Sequence, residues 1–380
     1  AVKPNKTSFR ESSSSFKVTW NQLPSEVANG RIFRYKICQK LSSTVMPCKN
    51  AIYVSYPANS VYVMNLLPFT DYTFEISAGT LAGYGPPLLT NAKTREATPS
   101  GPPHLVMAQD ITATSLNLVW SPPKENHRNG IITEYGVCYQ EASLGTNCVE
   151  TERVPMEQLS YRITTGLRPN TKFMFTVKAA TGQGWGPKAA IYETTLPAAP
   201  SGPPTSVYAV RIGPRILQMF WQPPEPKKQN GDIIGYRVCI KEKSFTTPCR
   251  KYVTLPETQL MHTMDKLKPY TVYTMHVEGK TALGYGPAKY LDYQTGEAAP
   301  AAPPKDVGIR YVSSDSIEIM WAAPDKESRN GVIVLYEVIV YEEMPNSKVK
   351  NIRSSLMRAN TTLWVVDDLS PQTDYIFHIK

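Results

Sequence analysis

The segment Trp120–Tyr135, with the sequence WSPPKENHRNGIITEY, decides the fold because its key residues return three more times along the 380-residue chain. In each copy a tryptophan is followed by an Asn-Gly pair and then by a tyrosine, and successive tryptophans are 100, 101 and 100 residues apart. The four sets are Trp20, Asn29, Gly30 and Tyr35; Trp120, Asn129, Gly130 and Tyr135; Trp221, Asn230, Gly231 and Tyr236; Trp321, Asn330, Gly331 and Tyr336. This register indicates four tandem copies of one domain, an arrangement that supplies extended surface rather than one deep active site.

The repeat predicts four domains, over residues 1–96, 97–196, 197–297 and 298–380. The first three end in Gly-aromatic-Gly-Pro, at Gly83–Pro86, Gly184–Pro187 and Gly284–Pro287, whereas the fourth stops at Lys380 before such a segment. We therefore expect the fourth domain to lack its last strand. We also expect the native polypeptide to continue, toward further domains or a membrane anchor outside this chain.

Each repeat has the pattern of short β-strands. Segments such as Leu116–Trp120 and Phe173–Val177 alternate apolar and polar positions, which is typical of half-buried antiparallel strands. Hydrophobic residues make up 41% of the chain, as in a folded protein, and no run of eighteen apolar residues predicts a membrane-spanning helix. We predict an all-β protein with about seven strands per repeat, arranged as a β-sandwich.

The order of motifs in each repeat resembles the fibronectin type III domain. A Pro-Pro entry, the tryptophan strand and the Asn-Gly turn are followed by a Leu-x-Pro-x-Thr-x-Tyr corner, at Leu66–Tyr72, Leu267–Tyr273 and Leu369–Tyr375. The resemblance implies that each tryptophan packs in a core against the tyrosine of its set. Phe173 stands where the other repeats have the corner tyrosine, so we expect that corner to lack its hydroxyl hydrogen bond.

The six cysteines form three regular pairs. Members of each pair lie ten residues apart at the same register in the first three repeats: Cys38 and Cys48, Cys138 and Cys148, Cys239 and Cys249. The fourth repeat has Ile339 and Val349 at those positions. We predict three disulfides on the outer face, each joining the third strand to the next strand across a hairpin loop. Most fibronectin type III domains lack such a bond. Reduced cysteines in a cytosolic chain remain the alternative, and no histidine spacing favours zinc.

Disulfides indicate an extracellular protein. Two Asn-x-Thr triplets, at Asn5 and Asn360, are candidate glycosylation sites in the same compartment. Such triplets also arise by chance, so they add little on their own.

The net charge of +9 is unevenly distributed. Residues 1–96 carry +6, residues 97–196 are balanced, residues 197–297 carry +5 and residues 298–380 carry −2. The basic residues that strand alternation groups on one face are Arg34, Lys36 and Lys40 in the first repeat and Arg237, Lys241 and Lys243 in the third. We predict that these faces bind a sulfated glycosaminoglycan or an acidic protein partner. The open alternative is that they are ordinary solvated side chains. Nothing in the sequence favours nucleic acid.

No catalytic constellation is present in the sequence. It contains no Gly-rich phosphate loop, no His-Glu-x-x-His and no Gly-x-Ser-x-Gly, so we predict neither an enzyme nor a metal or cofactor site. His276 falls on the solvent-facing positions of its strand, and we expect it to be exposed and without a role.

These patterns predict the extracellular segment of a cell-surface receptor or adhesion protein. The chain resembles the fibronectin type III arrays of receptor-type tyrosine phosphatases and cell-adhesion molecules, which implies an elongated, semi-rigid rod that binds a protein or glycan partner. Short proline-rich linkers such as Thr98–Pro103 favour limited bending. The alternatives are a matrix spacer and an intracellular muscle-type scaffold. We expect recognition in the loops that follow Trp20, Trp120 and Trp221.

Overall fold

A computed structural model describes residues 4, 7–44, 48, 50–146, 148, 151–344 and 348–380, with only the backbone at residues 10 and 25. Two compact units divide the chain, Ala1–Pro197 and Ala198–Lys380, and each contains two β-sandwiches. In the described part of the chain, helices are limited to single turns, which are Ser25–Val27, Glu125–Arg128, Ala142–Leu144, Pro226–Gln229 and Lys326–Ser328. The predicted all-β class with four tandem sandwiches is confirmed.

The first sandwich has eight strand segments in two sheets. These are β1 (Thr7–Glu11), β2 (Phe16–Trp20), β3 (Arg34–Leu41), β4 (Ala51–Ser55), β5 (Ser60–Val63), β6 (Asp71–Thr80), β7 (Gly83–Tyr84) and β8 (Leu88–Lys93). One sheet has the order β1-β2-β5. The other has the order β4-β3-β6, and both β7 and β8 pair with the far side of β6.

The second sandwich completes the first unit with seven strands. These are β9 (His104–Gln109), β10 (Leu116–Ser121), β11 (Glu134–Glu141), β12 (Glu152–Pro155), β13 (Ser160–Ile163), β14 (Lys172–Thr181) and β15 (Gly184–Thr194). Its sheets have the orders β13-β10-β9 and β12-β11-β14-β15.

The third sandwich repeats the topology of the first. Its strands are β16 (Thr205–Gly213), β17 (Ile216–Gln222), β18 (Gly235–Glu242), β19 (Tyr252–Pro256), β20 (Met261–Met264), β21 (Val272–Thr281), β22 (Gly284–Tyr285) and β23 (Lys289–Gln294). One sheet is β16-β17-β20. In the other, β19, β18 and β21 are neighbours, and β22 and β23 both pair with β21.

The fourth sandwich contains two three-stranded sheets among the described residues. Its strands are β24 (Lys305–Val312), β25 (Ile317–Ala322), β26 (Leu335–Met344), β27 (Lys348–Arg358), β28 (Leu363–Val366) and β29 (Tyr375–Ile379). The sheet orders are β24-β25-β28 and β27-β26-β29. Among the described residues, β29 pairs with β26 alone, whereas β6, β14 and β21 each have a further neighbour on the other side, which is β8, β15 and β23 respectively.

Each sandwich encloses its own hydrophobic core between the two sheets. The repeated tryptophan and tyrosine are buried in every core and meet edge to face, with ring centroids 5.1 to 5.7 Å apart. Such pairs add about 0.5–1.5 kcal/mol to the burial of the rings. The four tryptophans and their tyrosines are therefore core residues, as the family resemblance implied.

The tyrosine corner closes three of the sandwiches. The backbone N–H groups of Leu67, Lys268 and Ser370 donate to the hydroxyl oxygens of Tyr72, Tyr273 and Tyr375 at 2.8 to 2.9 Å. Phe173 takes this position in the second sandwich, is 1% exposed and has no hydroxyl to accept the equivalent bond.

Candidate partner-binding surfaces

The three predicted disulfides are present, and each starts from a strand of the larger sheet of its sandwich. They join Cys38 to Cys48, Cys138 to Cys148 and Cys239 to Cys249, with Cα atoms 5.9, 6.1 and 6.3 Å apart, within the usual range for a disulfide. The first cysteine of each pair lies on strand β3, β11 or β18.

Two details of the disulfide prediction are wrong. Cys38, Cys138 and Cys239 lie on the outer side of their sheet, but they are 1%, 5% and 2% exposed rather than solvent-facing. Their partners precede strands β4, β12 and β19 instead of lying on them, since those strands begin at Ala51, Glu152 and Tyr252. The disulfide therefore ties the connecting loop down over the outer face.

Arg34 of the first sandwich is surrounded by aromatic rings. Its guanidinium carbon lies 5.0 Å from the ring centroids of Phe33 and Tyr53 and 5.4 Å from that of Tyr84. Lys36 Nζ lies 5.7 Å from the Tyr84 ring. Cation–π contacts of this kind orient the cation without neutralising it.

No carboxylate pairs with Arg34 or Lys36 among the residues that the structure describes. Lys36 faces Ser77 across the β3–β6 ladder. Arg34 Nε is shielded from solvent, and no described residue forms a hydrogen bond with it. Lys40, by contrast, forms an ion pair with Glu75 at 2.6 Å. Two of the three predicted basic residues of this face thus keep their charge available to a partner.

On the equivalent face of the third sandwich, the predicted basic residues already have partners within the same sandwich. Arg237 faces Glu278 across the β18–β21 ladder and contacts one carboxylate oxygen through Nε at 2.7 Å and Nη2 at 2.5 Å. Lys241 Nζ donates to the carbonyl oxygens of Phe245 and Thr247 at 3.0 and 2.9 Å. Lys243 is paired with Asp292, which lies 2.8 Å away.

The sequence-predicted basic set therefore separates into two groups. In the third sandwich, carboxylates or backbone carbonyls engage Arg237, Lys241 and Lys243, as Glu75 engages Lys40 in the first. For Arg34 and Lys36, the described residues supply cation–π contacts but no ion pair. Anion binding by the six residues remains a prediction. Arg34 and Lys36 are the two of them that have neither a carboxylate nor a carbonyl partner among the described residues.

The aromatic residue of Gly-aromatic-Gly-Pro has a role that the sequence reading missed. Tyr84 lies beside Arg34 and Lys36, Trp185 beside Lys178 at 4.7 Å, and Tyr285 beside Arg237 at 4.0 Å. In each of these sandwiches the ring covers a cation on the outer face. The sequence does show an aromatic residue repeated between two glycines. Which cation that ring covers depends on the register between the strands, which the sequence does not give.

His276 is buried, and the expectation that it is exposed is wrong. It is 5% exposed because the rings of Tyr252 and Tyr290 pack against it, with centroids 5.5 and 4.9 Å away. Burial lowers the pKa of His276, Glu278 opposes this effect, and Arg237 adds to it. Its Nε2 lies 3.5 Å from Glu278 but makes no hydrogen bond among the described residues.

One of the two candidate glycosylation sites lies within the described residues. Asn5 lies outside the described residues. Asn360 is exposed in the turn between β27 and β28. Its occupancy remains a prediction.

The Asn-Gly turns that follow three of the tryptophans hold the linker that enters their own sandwich. Asn129 Nδ2 donates to Thr98 O at 2.9 Å, and Ala97 N–H donates to Asn129 O at 2.9 Å. Asn230 and Asn330 hold Ala198–Ala199 and Ala298–Ala299 through the same two bonds, at 2.8 to 2.9 Å. The turns after Trp120 and Trp221, in which we expected recognition, therefore engage the chain itself.

The described residues contain no group of metal-ligating side chains that could hold an ion. Among the same residues, no helix has the length and apolar character needed to cross a membrane.

Comparison with known proteins identifies the repeat. The sequence profile of the fibronectin type III domain matches residues 2–90, 101–195, 202–290 and 302–380. The chain is 28% identical over 99% of its length to tyrosine-protein phosphatase Lar of Drosophila melanogaster, and 30% identical over 86% to a protein sidekick homolog of Caenorhabditis elegans. It is 26% identical over 97% of its length to receptor-type tyrosine-protein phosphatase F of Danio rerio.

The matched region is a small part of those relatives. It spans 18%, 14% and 19% of their respective lengths. The family profile, in contrast, covers most of this chain in four successive matches, each of which contains one of the repeated tryptophans. The chain belongs to the fibronectin type III family.

Proposed function

We propose that this chain is an extracellular segment of a cell-surface receptor or adhesion protein, which binds a protein or glycan partner and serves as a semi-rigid spacer. Its role on this proposal is binding rather than catalysis. The observation that carries the proposal is the set of three disulfides in consecutive sandwiches of a fibronectin type III array. Disulfides persist in oxidising compartments, and one of the similar proteins is named as receptor-type.

The unpaired cations of the first sandwich support an anionic partner. Arg34 and Lys36 are held in place by Tyr53 and Tyr84 but have no carboxylate partner among the described residues. A cation oriented in this way keeps its charge for an incoming sulfate or carboxylate and has little side-chain freedom left to lose on binding. We infer that this face recognises a sulfated glycosaminoglycan or an acidic protein surface.

Heparin chromatography tests the anion-binding part of the proposal. Replacing Arg34 and Lys36 with glutamine should lower the salt concentration at which the chain elutes. Replacing Lys241 and Lys243 with glutamine removes the same formal charge but should shift elution less, because these residues already have partners. Equal shifts in the two double variants would mean that heparin binding depends only on net charge. A wild-type chain that heparin does not retain would exclude this ligand class.

The linker contacts support the spacer role. Each described linker is hydrogen-bonded to the sandwich that it enters, as Ala97 is to Asn129 and Ala298 is to Asn330. Prolines in the same linkers further restrict the backbone. Small-angle scattering of the whole chain should give the maximum dimension of an extended array, whereas a compact particle would contradict the spacer role.

A further inference from the structure

Three cations lie in one row across the larger sheet of the second sandwich. The strand register pairs Gly136 of β11 with Arg153 of β12 on one side and with Lys178 of β14 on the other. Lys178 is paired in turn with Lys188 of β15. We call Arg153, Lys178 and Lys188, together with the intervening Gly136, the Lys178 row.

The Lys178 row lies on the outer face of the sheet. Val154 and Val177 adjoin two of the cations in sequence and are buried in the core, so strand alternation directs those cations away from it. Arg153 and Lys188 are exposed, and Lys178 is half-buried. All three cations can therefore be reached from the solvent.

Lys178 and Lys188 are like charges that face each other on neighbouring strands. Such a pair is unfavourable in itself. Lys178 Nζ lies 4.7 Å from the ring centroid of Trp185. Lys188 Nζ donates to Thr146 O at 2.9 Å. The ring and the carbonyl orient the two ammonium groups without neutralising them, and among the described residues no carboxylate pairs with either lysine.

Gly136 leaves room for Lys178 in the row. A Cβ added to Gly136 would meet Cε and Cγ of Lys178 at 2.9 and 3.2 Å, so the lysine side chain lies over the glycine. Arg153, on the other side of Gly136, pairs with Glu134 at 3.2 Å, but its side chain is 72% exposed. Exposed ion pairs are weak, so the row keeps a positive charge along its whole length.

The third sandwich shows how the equivalent positions are neutralised. Glu278 stands at the position of Lys178. It pairs with Arg237, which stands at the position of Gly136. In the second sandwich, a lysine replaces that carboxylate. The even charge balance of residues 97–196 conceals this difference, because a sum does not show which side chains face each other.

The chemistry of the row favours a sulfated chain over an acidic peptide. The backbone groups of the inner strands pair with one another, so the face of the sheet offers no main-chain partners to a peptide. Arginine matches a planar carboxylate through two parallel bonds, whereas the ammonium of lysine is a point charge. Two facing ammonium groups suit one tetrahedral sulfate, whose free oxygens point in different directions.

We propose that the Lys178 row binds a sulfated glycan chain, with one sulfate shared by Lys178 and Lys188. The glycan runs across the strands toward Arg153, over three strand spacings, about 14 Å. The proposal rests on the glycan form of the proposed function, and it adds a second contact surface in a different sandwich from Arg34 and Lys36.

Protection of lysines from acetylation tests the proposal. The probe is a heparin octasaccharide, the sample is the whole chain, and mass spectrometry follows the acetylation rate of each lysine. At a saturating concentration of the octasaccharide, Lys178 and Lys188 should react at least about threefold more slowly, because a bound sulfate holds both ammonium groups. Lys228 and Lys243 already pair with carboxylates, so their rates should not change.

Two further probes identify the ligand class. An unsulfated octasaccharide with the same backbone keeps its carboxylates and should give no protection. A capped octaglutamate peptide should bind at least about tenfold more weakly than the heparin octasaccharide, since it offers no tetrahedral anion. Equal binding of octaglutamate would overturn the choice of a sulfated glycan.

A double variant and a matched control locate the contact. Replacing Lys178 and Lys188 with glutamine should weaken binding of the octasaccharide about tenfold. Replacing Lys228 and Lys243 with glutamine removes the same formal charge and should change binding little. Loss of the facing like charges relieves repulsion, so hydrogen exchange in β14 and β15 should stay unchanged or become slower. A merely structural role of the two lysines would accelerate exchange instead.

The outcomes separate this inference from the proposed function. A wild-type chain that does not bind the octasaccharide overturns both. Binding that is weakened by glutamine at Arg34 and Lys36, but not by glutamine at Lys178 and Lys188, overturns the Lys178 row alone. Binding that depends only on Lys178 and Lys188 supports the row and contradicts the face at Arg34.

Discussion

Arg237 and Glu278 form an ion pair in which the carboxylate is the more deeply buried member. The side chain of Glu278 is 8% exposed and that of Arg237 is 30% exposed. The rings of Tyr252 and Tyr285 lie 4.4 and 4.0 Å from the guanidinium carbon. The two rings restrict the position of the guanidinium. The ion pair therefore holds β18 and β21 together in one register.

Replacing Glu278 with glutamine should destabilise the third sandwich by about 1–3 kcal/mol, since it leaves a half-buried guanidinium without its counter-charge. The partial exposure of Arg237 keeps the cost below that of a fully buried pair. Hydrogen exchange followed by mass spectrometry should show faster exchange in peptides from β18 and β21, with the other sandwiches unchanged.

Asp292→Asn is the matched control for that prediction. It breaks the ion pair between Lys243 and Asp292, in which both side chains are exposed. Exposed pairs contribute little to stability, so exchange in β21 and β23 should stay as in the wild type. If both variants accelerate exchange equally, burial of Glu278 is not what makes its pair important.

The stability of the third sandwich should fall in mild acid because of His276. Burial holds the pKa of His276 below its ordinary value of 6.5. As the pH falls below about 6.5, His276 becomes protonated in the unfolded chain but stays neutral in the folded chain. The free energy of unfolding therefore decreases with falling pH until the pH reaches the depressed pKa of His276 in the folded chain. Exchange rates in β21 measured between pH 7.5 and pH 5, corrected for intrinsic exchange, report this loss.

His276→Gln should flatten that dependence, because glutamine has no charge to gain. His262 stays in both proteins, and burial lowers its pKa too, so the comparison isolates the contribution of His276. An identical pH dependence in the wild type and the variant would assign the acid sensitivity to other groups.

The sequence predicted the repeats and their cores but not the chemistry of the outer faces. Alternation along one strand placed Cys38 and His276 on the outer side correctly, yet both are buried. The rings that cover His276 belong to β19 and β23, which strand periodicity does not consider. Lys36 and Arg237 occupy equivalent positions, but their cross-strand neighbours are Ser77 and Glu278, and only the register reveals that difference.

The corner hydroxyl bond should be worth about 1 kcal/mol. Tyr273→Phe removes the acceptor of the Lys268 N–H at a site that is 6% exposed, and it should destabilise the third sandwich by that amount. Phe173→Tyr offers the missing hydroxyl to the second sandwich and should stabilise it, provided that the buried site admits the added oxygen. Tyr208→Phe is the control, since Tyr208 is 53% exposed.

Local hydrogen exchange in the strands next to each corner measures both effects. A loss in the third sandwich without any gain in the second would mean that the corner of the second sandwich has adapted to phenylalanine. No effect of Tyr273→Phe would show that the corner bond contributes nothing to stability.

The disulfides should stabilise three of the sandwiches and leave the fourth unaffected by reductant. Each closes a loop with a sequence separation of 10, which corresponds to about 3 kcal/mol in the loop-entropy estimate.

Without reductant, the intact mass should be lower by six hydrogens than that of the reduced chain. Replacing Cys239 and Cys249 together with alanine should accelerate exchange in β18 and β19 only. The fourth sandwich has Ile339 at the equivalent position, so it serves as an internal control in the reduced protein. Six titratable thiols in the chain isolated without reductant would contradict both the bonds and the extracellular location proposed from them.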